Sequence, residues 1–210
     1  MTELSVYPSD SAFAGLVLAH GAGGGQHSHF MMLAAREMAA RGVTTATFDF
    51  PYVTAKRKVP DKTPVLEEAW RQALASAREH AALRALPIFI GGKSMGGRIA
   101  SHIAAAHVGG IRGLVCFGYP LHPPGRPDQR RDGHLPDIRE PMLFVQGTRD
   151  QFGAASDIRA LLPRLNASVL VHEVLDGDHS FNVRVSIAGK KQDVVFAEIF
   201  DAAAAFMRRA

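Results

Sequence analysis

Gly91-Gly92-Lys93-Ser94-Met95-Gly96-Gly97 lies directly after the apolar run Pro87-Ile88-Phe89-Ile90. Glycines around a serine or lysine at a strand end serve phosphate loops, packed turns, or bends that present a nucleophile. A P-loop requires glycine five positions before the Gly-Lys-Ser step, and Pro87 stands there. Gly21-Ala22-Gly23 fails as a dinucleotide fingerprint, because Gln26 occupies the sixth position. Gly92-Lys93-Ser94-Met95-Gly96 instead fits Gly-x-Ser-x-Gly, with strand-like residues before it and a helical pattern after it. That bend forces the serine backbone into a strained conformation and leaves no room for side chains two positions to either side.

A serine hydroxyl attacks poorly without a base, and the base needs an acid to orient it. In chains with this bend the acid and the histidine follow the serine in that order. Asp150 in Gln146-Gly147-Thr148-Arg149-Asp150 and His179 in Asp176-Gly177-Asp178-His179 satisfy type, order and position after a strand. Asp176 and Asp178 crowd His179 within one turn and are expected to shape its loop. Asp128, Asp132 and Asp137 fall in a long charged loop and are expected to be solvated. Acyl transfer also needs two main-chain donors for the developing oxyanion. Met95, at the positive end of the following helix, and Ala22, in His20-Gly21-Ala22-Gly23-Gly24-Gly25, are the expected donors, with Gly23 as the alternative to Ala22. His20 is read as fixing that loop. His27 and His29 form a His-x-His pair, but no carboxylate or cysteine in the loop completes a ligand set, so no metal is expected. His80 and His107 fall at expected helix ends, and His172 on a strand face.

These residues need elements to hold them. Strand-like runs are Leu16–Ala19, Thr44–Phe48, Ile88–Ile90, Leu114–Gly118, Met142–Gln146 and Val169–Val174. Helical patterns run from His29 to Arg41 with Gly42 closing, Thr63 to Leu86 with Thr63 as cap, Met95 to His107, Ala155 to Leu162, and Gln192 to Arg208. Alternation of apolar strands with helices predicts an α/β fold: a mostly parallel sheet covered on both faces, with functional residues at the carboxyl ends of the strands. The interval from Tyr119 to Glu140 holds Pro120, Pro123, Pro124, Pro127 and Pro136. Such density predicts a stiff extended loop rather than a helical cap, with His122 or His134 on the rim of the site.

The 210 residues are 47% hydrophobic and 21% charged, with a net charge of +4, which predicts one domain over residues 1–210. Arg126, Arg130, Arg131 and Arg139 are interleaved with acids, the pattern of a solvated loop and not of a nucleic-acid footprint. The single cysteine, Cys116, sits in an apolar run and is expected to be buried; one cysteine forms no internal disulfide. The N-terminus lacks a signal-peptide pattern and no stretch reaches the length of a membrane span, so a cytoplasmic protein without membrane partners is expected.

The residues from His20-Gly21-Ala22-Gly23-Gly24 through Gly-Lys-Ser-Met-Gly-Gly to Asp-Gly-Asp-His-Ser-Phe resemble an α/β-hydrolase over nearly the whole chain. Phe117-Gly118-Tyr119-Pro120-Leu121-His122-Pro123-Pro124, His134-Leu135-Pro136-Asp137-Ile138 and Gln146–Gly153 are similar to small hydrolases related to dienelactone hydrolases. That group also resembles a testis-expressed hydrolase-like protein and a subunit of a chromatin-modifying complex. The resemblance implies a serine-hydrolase fold and triad. Dienelactone hydrolases proper use cysteine where this chain has Ser94, which argues against dienelactone as substrate. Two expectations follow: a cofactor-free hydrolase of a small ester or thioester, or a non-catalytic interaction module on the same fold.

Overall fold

The computed structural model describes residues 2–210. In chain order the elements are β1 (Ser5–Tyr7), β2 (Ala14–Ala19), α1 (His29–Ala40), β3 (Val43–Phe48), α2 (Pro51–Thr54), α3 (Thr63–Glu79), β4 (Ile88–Lys93), α4 (Met95–Ala105), β5 (Ile111–Phe117), β6 (Met142–Gly147), α5 (Ala155–Arg159), β7 (Val169–Val174), α6 (Val185–Ala188) and α7 (Gln192–Arg209). Short 3₁₀ turns lie at Leu135–Asp137 and Leu162–Arg164. The strands form one sheet in the order β1-β3-β2-β4-β5-β6-β7. Only β1 runs antiparallel, against β3; the remaining neighbours are parallel.

Every residue of β2, β3 and β6 is buried, because helices cover both faces of the sheet. Strand periodicity divides the core in two. Val17, Ile90, Leu114, Cys116 and Phe144 face α3 and α4, where Trp70, Leu74 and Ile99 pack on them. Leu16, Leu18, Phe89, Val115 and Val145 face α1 and α7, meeting Met31, Met38, Ile199 and Phe200. Cys116 is fully buried as expected, and burial pushes its thiol well above its ordinary range.

Several local expectations need correction. Helix α3 stops at Glu79 and not at Leu86: His80 turns extended (φ −69°, ψ 129°), and its Nδ1 accepts the Ala82 N–H at 3.2 Å. Leu86 precedes Pro87, which disfavours helix there, and the chain returns to the sheet through turns with Leu83 buried. Lys62, not Thr63, occupies the cap position. Pro51 occupies the first position of the short α2, where its missing N–H costs nothing. β1, α2 and α6 had no usable sequence signal, since three or four residues are too few to show a period.

Residues 119–140 between β5 and β6 carry only the 3₁₀ turn Leu135–Asp137, so no helical cap interrupts the sheet. Tyr119, Leu121, Leu135 and Ile138 are buried and tie this proline-rich segment down on α4.

Candidate active site

The carboxyl ends of β2, β4, β6 and β7 converge on one cleft of about 620 Å³. Its floor is Ser94, between β4 and α4, with φ +51° and ψ −117°. A non-glycine residue rarely holds this backbone, and the surroundings impose it. The Ser94 amide bonds to the Phe117 carbonyl at 3.0 Å, while its own carbonyl accepts the Arg98 amide at 3.0 Å. A Cβ at position 92 would come 2.5 Å from the Ala19 carbonyl oxygen, and one at position 96 would fall onto the same atom. Both motif glycines are therefore required by the approach of β2.

Ser94 Oγ and His179 Nε2 are 2.8 Å apart, and His179 Nδ1 and Asp150 Oδ2 are also 2.8 Å apart. The Asp150 side chain is fully shielded from solvent, whereas that of His179 remains 16% exposed. Asp150 Oδ1 accepts the Phe152 amide at 2.8 Å, and Oδ2 also accepts Gln146 Nε2 at 2.9 Å. Gln146 in turn accepts the Tyr119 amide at 2.8 Å and donates to the Gly153 carbonyl at 2.7 Å. Each oxygen of the buried carboxylate is thus fixed before it meets the imidazole. The Phe152 ring lies 4.2 Å from that of His179, centroid to centroid, and covers one face of it.

Lys93 occupies the variable position before the serine. Its Nζ donates to the His179 carbonyl and approaches the rings of Phe181 and Phe30 at 5.1 and 5.9 Å. Burial lowers its ammonium to about 8, against the opposing pull of the Asp150 and Asp178 charges. The lysine clamps the histidine loop onto the end of β4.

The glycine loop after β2 is set by His20, which is fully buried. His20 Nδ1 meets the Gly21 carbonyl at 2.8 Å, and Nε2 accepts the Phe50 amide at 3.2 Å, an arrangement suited to a neutral ring. Burial lowers its basicity accordingly. The Gly21 carbonyl also accepts the Gly24 amide at 3.2 Å. A trans peptide points its N–H away from its C=O, so anchoring the Gly21 carbonyl orients the Ala22 N–H. Tyr52 Oη donates to the Ala22 carbonyl at 3.0 Å, which orients the Gly23 N–H in the same way. Ala22, Gly23 and Met95 all line the cleft. Among the described residues, no acceptor meets their main-chain N–H groups.

The other candidates resolve by position. Asp178 accepts the Ser180 and Asn182 amides at 2.8 and 2.9 Å, building the histidine loop as expected. Asp176 pairs with Arg184 and Arg149, and its hydrogen bonds with Arg184 above all hold its carboxyl far below the usual range. Asp128 and Asp137 are exposed, but Asp132 is buried between Arg130 at 2.8 Å and Arg164 at 3.4 Å, contrary to the solvated reading. His27 and His29 are exposed and do not line the cleft. Among the described residues, no group of three His, Cys, Asp or Glu side chains is arranged to hold a metal ion. Neither His122 nor His134 lines the cleft. His122 turns to the Pro123 carbonyl, and His134 bonds to Ser101 Oγ on α4 at 2.7 Å.

Sequence reasoning missed Gln146, Lys93, Phe152 and Tyr52, as well as Arg98 and Arg131 on the cleft wall. Gln146 and Lys93 left a trace, each a polar residue near the end of an otherwise apolar strand. Phe152, Tyr52 and Arg131 left none.

Residues 12–208 match the family described as an alpha/beta hydrolase domain. The chain belongs to the α/β-hydrolase family. This α/β-hydrolase is also similar in fold to a dienelactone hydrolase from Anabaena variabilis, with 18% identity, a TM-score of 0.75, and coverage of 98% of this chain and 90% of that one. A serine hydrolase without a lid from Xanthomonas campestris gives 21% identity and a TM-score of 0.68, covering 98% of this chain and 88% of that one. A serine hydrolase homologue from Coxiella burnetii gives 16% identity and a TM-score of 0.72, covering 93% and 90%. Among the described residues, no helix of this α/β-hydrolase is long and apolar enough to cross a membrane.

Proposed function

We propose that this α/β-hydrolase cleaves small carboxylic esters or thioesters through an acyl-enzyme on Ser94. The observation that carries the reading is the hydrogen-bonded chain Ser94–His179–Asp150, with 2.8 Å at each link, opening onto a solvent-accessible cleft. His179 Nε2 takes the hydroxyl proton as Ser94 Oγ bonds to the substrate carbonyl carbon. The carbonyl oxygen, now carrying the charge, is received by the N–H groups of Met95 and of Ala22, or Gly23 in its place. Collapse of this intermediate expels the alcohol or thiol, which leaves with the proton held on His179. Water then repeats the sequence on the acyl-enzyme and releases the acid. Asp150 stabilises the imidazolium and fixes Nδ1 as the donor nitrogen. The scheme uses side chains and main-chain amides only.

A fluorophosphonate probe tests it directly. An activated serine is labelled, with the adduct mapping to Ser94 and labelling lost in Ser94→Ala. Absence of labelling in the folded wild-type protein would overturn the reading and favour a non-catalytic interaction module on the same fold.

A further inference from the structure

Arg98 and Arg131 line the same cleft as Ser94 and His179, one from α4 and the other from the segment between β5 and β6. Among the described residues, no carboxylate lies within 4 Å of either guanidinium. Their neighbours are treated differently. Arg130 and Arg164 share Asp132, and Arg149 and Arg184 share Asp176. Glu67, the carboxylate whose charge reaches Arg98, is held by His102 at 2.8 Å. Asp61, the acid on the cleft wall, is held by Arg57 at 2.7 Å.

The placement of these two cations is unfavourable in three ways. Arg98 is the fourth residue of α4, so its charge opposes the positive end of the helix. It is half-buried, and burial together with the Arg131 charge pulls its guanidinium below the ordinary range. The main chain of Arg131 is fixed beside it, because its amide bonds to the Leu121 carbonyl at 2.9 Å and its carbonyl accepts Tyr119 Oη at 2.7 Å. Two unpaired guanidinium groups facing one cleft, with main chains fixed, make a receptor for an anion.

Resting on the serine-hydrolase reading, we propose that Arg98 and Arg131 form an anion subsite that selects esters bearing a second, ionised oxyacid group, a carboxylate or a phosphate. The ester carbonyl then sits at Ser94 while the anion is held between the two arginines. A neutral ester of equal size leaves both cations unpaired in a partly desolvated cleft and reacts more slowly.

The test compares kcat/KM for mono-p-nitrophenyl glutarate with that for p-nitrophenyl butyrate in the wild type, Arg98→Leu and Arg131→Ala. The expected wild-type preference for the hemi-ester is roughly tenfold or more, falling with added salt and lost in both variants. 2-Acetoxyphenyl phosphate and acetylsalicylate, against phenyl acetate, show whether phosphate or carboxylate on the leaving side is favoured. Arg131→Glu, at the half-buried Arg131 of the segment between β5 and β6, provides a second variant and should turn the preference toward neutral esters. Fluorophosphonate labelling of Ser94 should persist in all of these variants, and glutarate binding by calorimetry should be lost in Arg131→Ala. Equal efficiency on charged and neutral esters, or a preference that survives both substitutions, would overturn the subsite while labelling still upholds the hydrolase reading. Absent labelling removes that reading, and calorimetry then judges the anion subsite alone: no glutarate binding overturns it.

Discussion

At the residue scale the candidate site is a set of groups each held by a neighbouring side chain or main-chain group. Ser94 is kept in a strained backbone by the Phe117 carbonyl and by two glycines pressed against β2. Asp150 is held on both oxygens before it reaches His179, so its position is settled independently of the substrate. Ser94→Ala should lower ester hydrolysis by roughly 10⁴-fold or more with an unchanged far-UV spectrum, measured as kcat with contaminating esterases excluded. Asp150→Asn should cost roughly 10⁴-fold as well, because the amide can donate to His179 Nδ1 and so favours the wrong tautomer. Near wild-type turnover in the asparagine variant would assign the orienting role to another acid.

At the scale of elements, the close crossing of β2, β4 and α4 sets the reactive bend. A methyl group on Gly96 would meet the Ala19 carbonyl, so Gly96→Ala must push α4 away from the sheet. The expected cost is roughly 1–3 kcal/mol of stability, read in urea unfolding, with a drop in Ser94 labelling larger than that destabilisation explains. The proline-rich segment between β5 and β6 is fastened to α4 by His134, whose Nε2 meets Ser101 Oγ while that hydroxyl donates to the Arg98 carbonyl. Burial first, then the His102 and Arg98 charges, lower His134 to about 4 from an ordinary 6.5. Between these values the unfolded chain binds a proton that the folded chain does not, so this contribution to stability is present above pH 6.5 and lost as pH falls through 4. His134→Gln keeps a donor for Ser101 without titrating. Relative to wild type it should lose less stability between pH 6.5 and 4, by roughly 1 to 3 kcal/mol in denaturant titrations. Identical acid sensitivity in both proteins would remove His134 from that role.

For the molecule as a whole, no cap among the described residues covers Ser94, which lies in an open cleft whose walls carry arginines, prolines and glycines rather than a continuous apolar tunnel. Little surface is offered for burying a long acyl chain, and no lid waits for a lipid interface to open it. Catalytic efficiency on p-nitrophenyl esters should therefore be higher for short acyl chains than for palmitate, by roughly tenfold or more, without a jump at the critical micelle concentration. A steep rise from butyrate to palmitate would refute the open-cleft account.

Much of this was legible in the linear chain. Alternating apolar strands and amphipathic helices determined a covered parallel sheet, because continuous apolar runs are soluble only when both sheet faces are packed. The Gly-x-Ser-x-Gly spacing determined the bend, since only glycine tolerates the approach of a neighbouring strand on both sides of one residue. Strand ends marked Asp150 and His179, because parallel connections deliver every strand's carboxyl end to the same edge. The end of α3 was not legible: Ala- and Leu-rich residues 80–86 have helical propensity, and Pro87 marks only their far end, while the turn at His80 comes with the return of the chain to β4. Nor were the burial of Asp132, the absence of His134 from the cleft lining, or the placement of Arg98 and Arg131 on one cleft wall. These depend on which loops meet across the sheet, a relation between residues distant in the chain that no local spacing encodes. Sequence placed Ser94, Asp150 and His179 by period and by strand end; tertiary structure decided which charges were neutralised and which were left unpaired on the cleft wall.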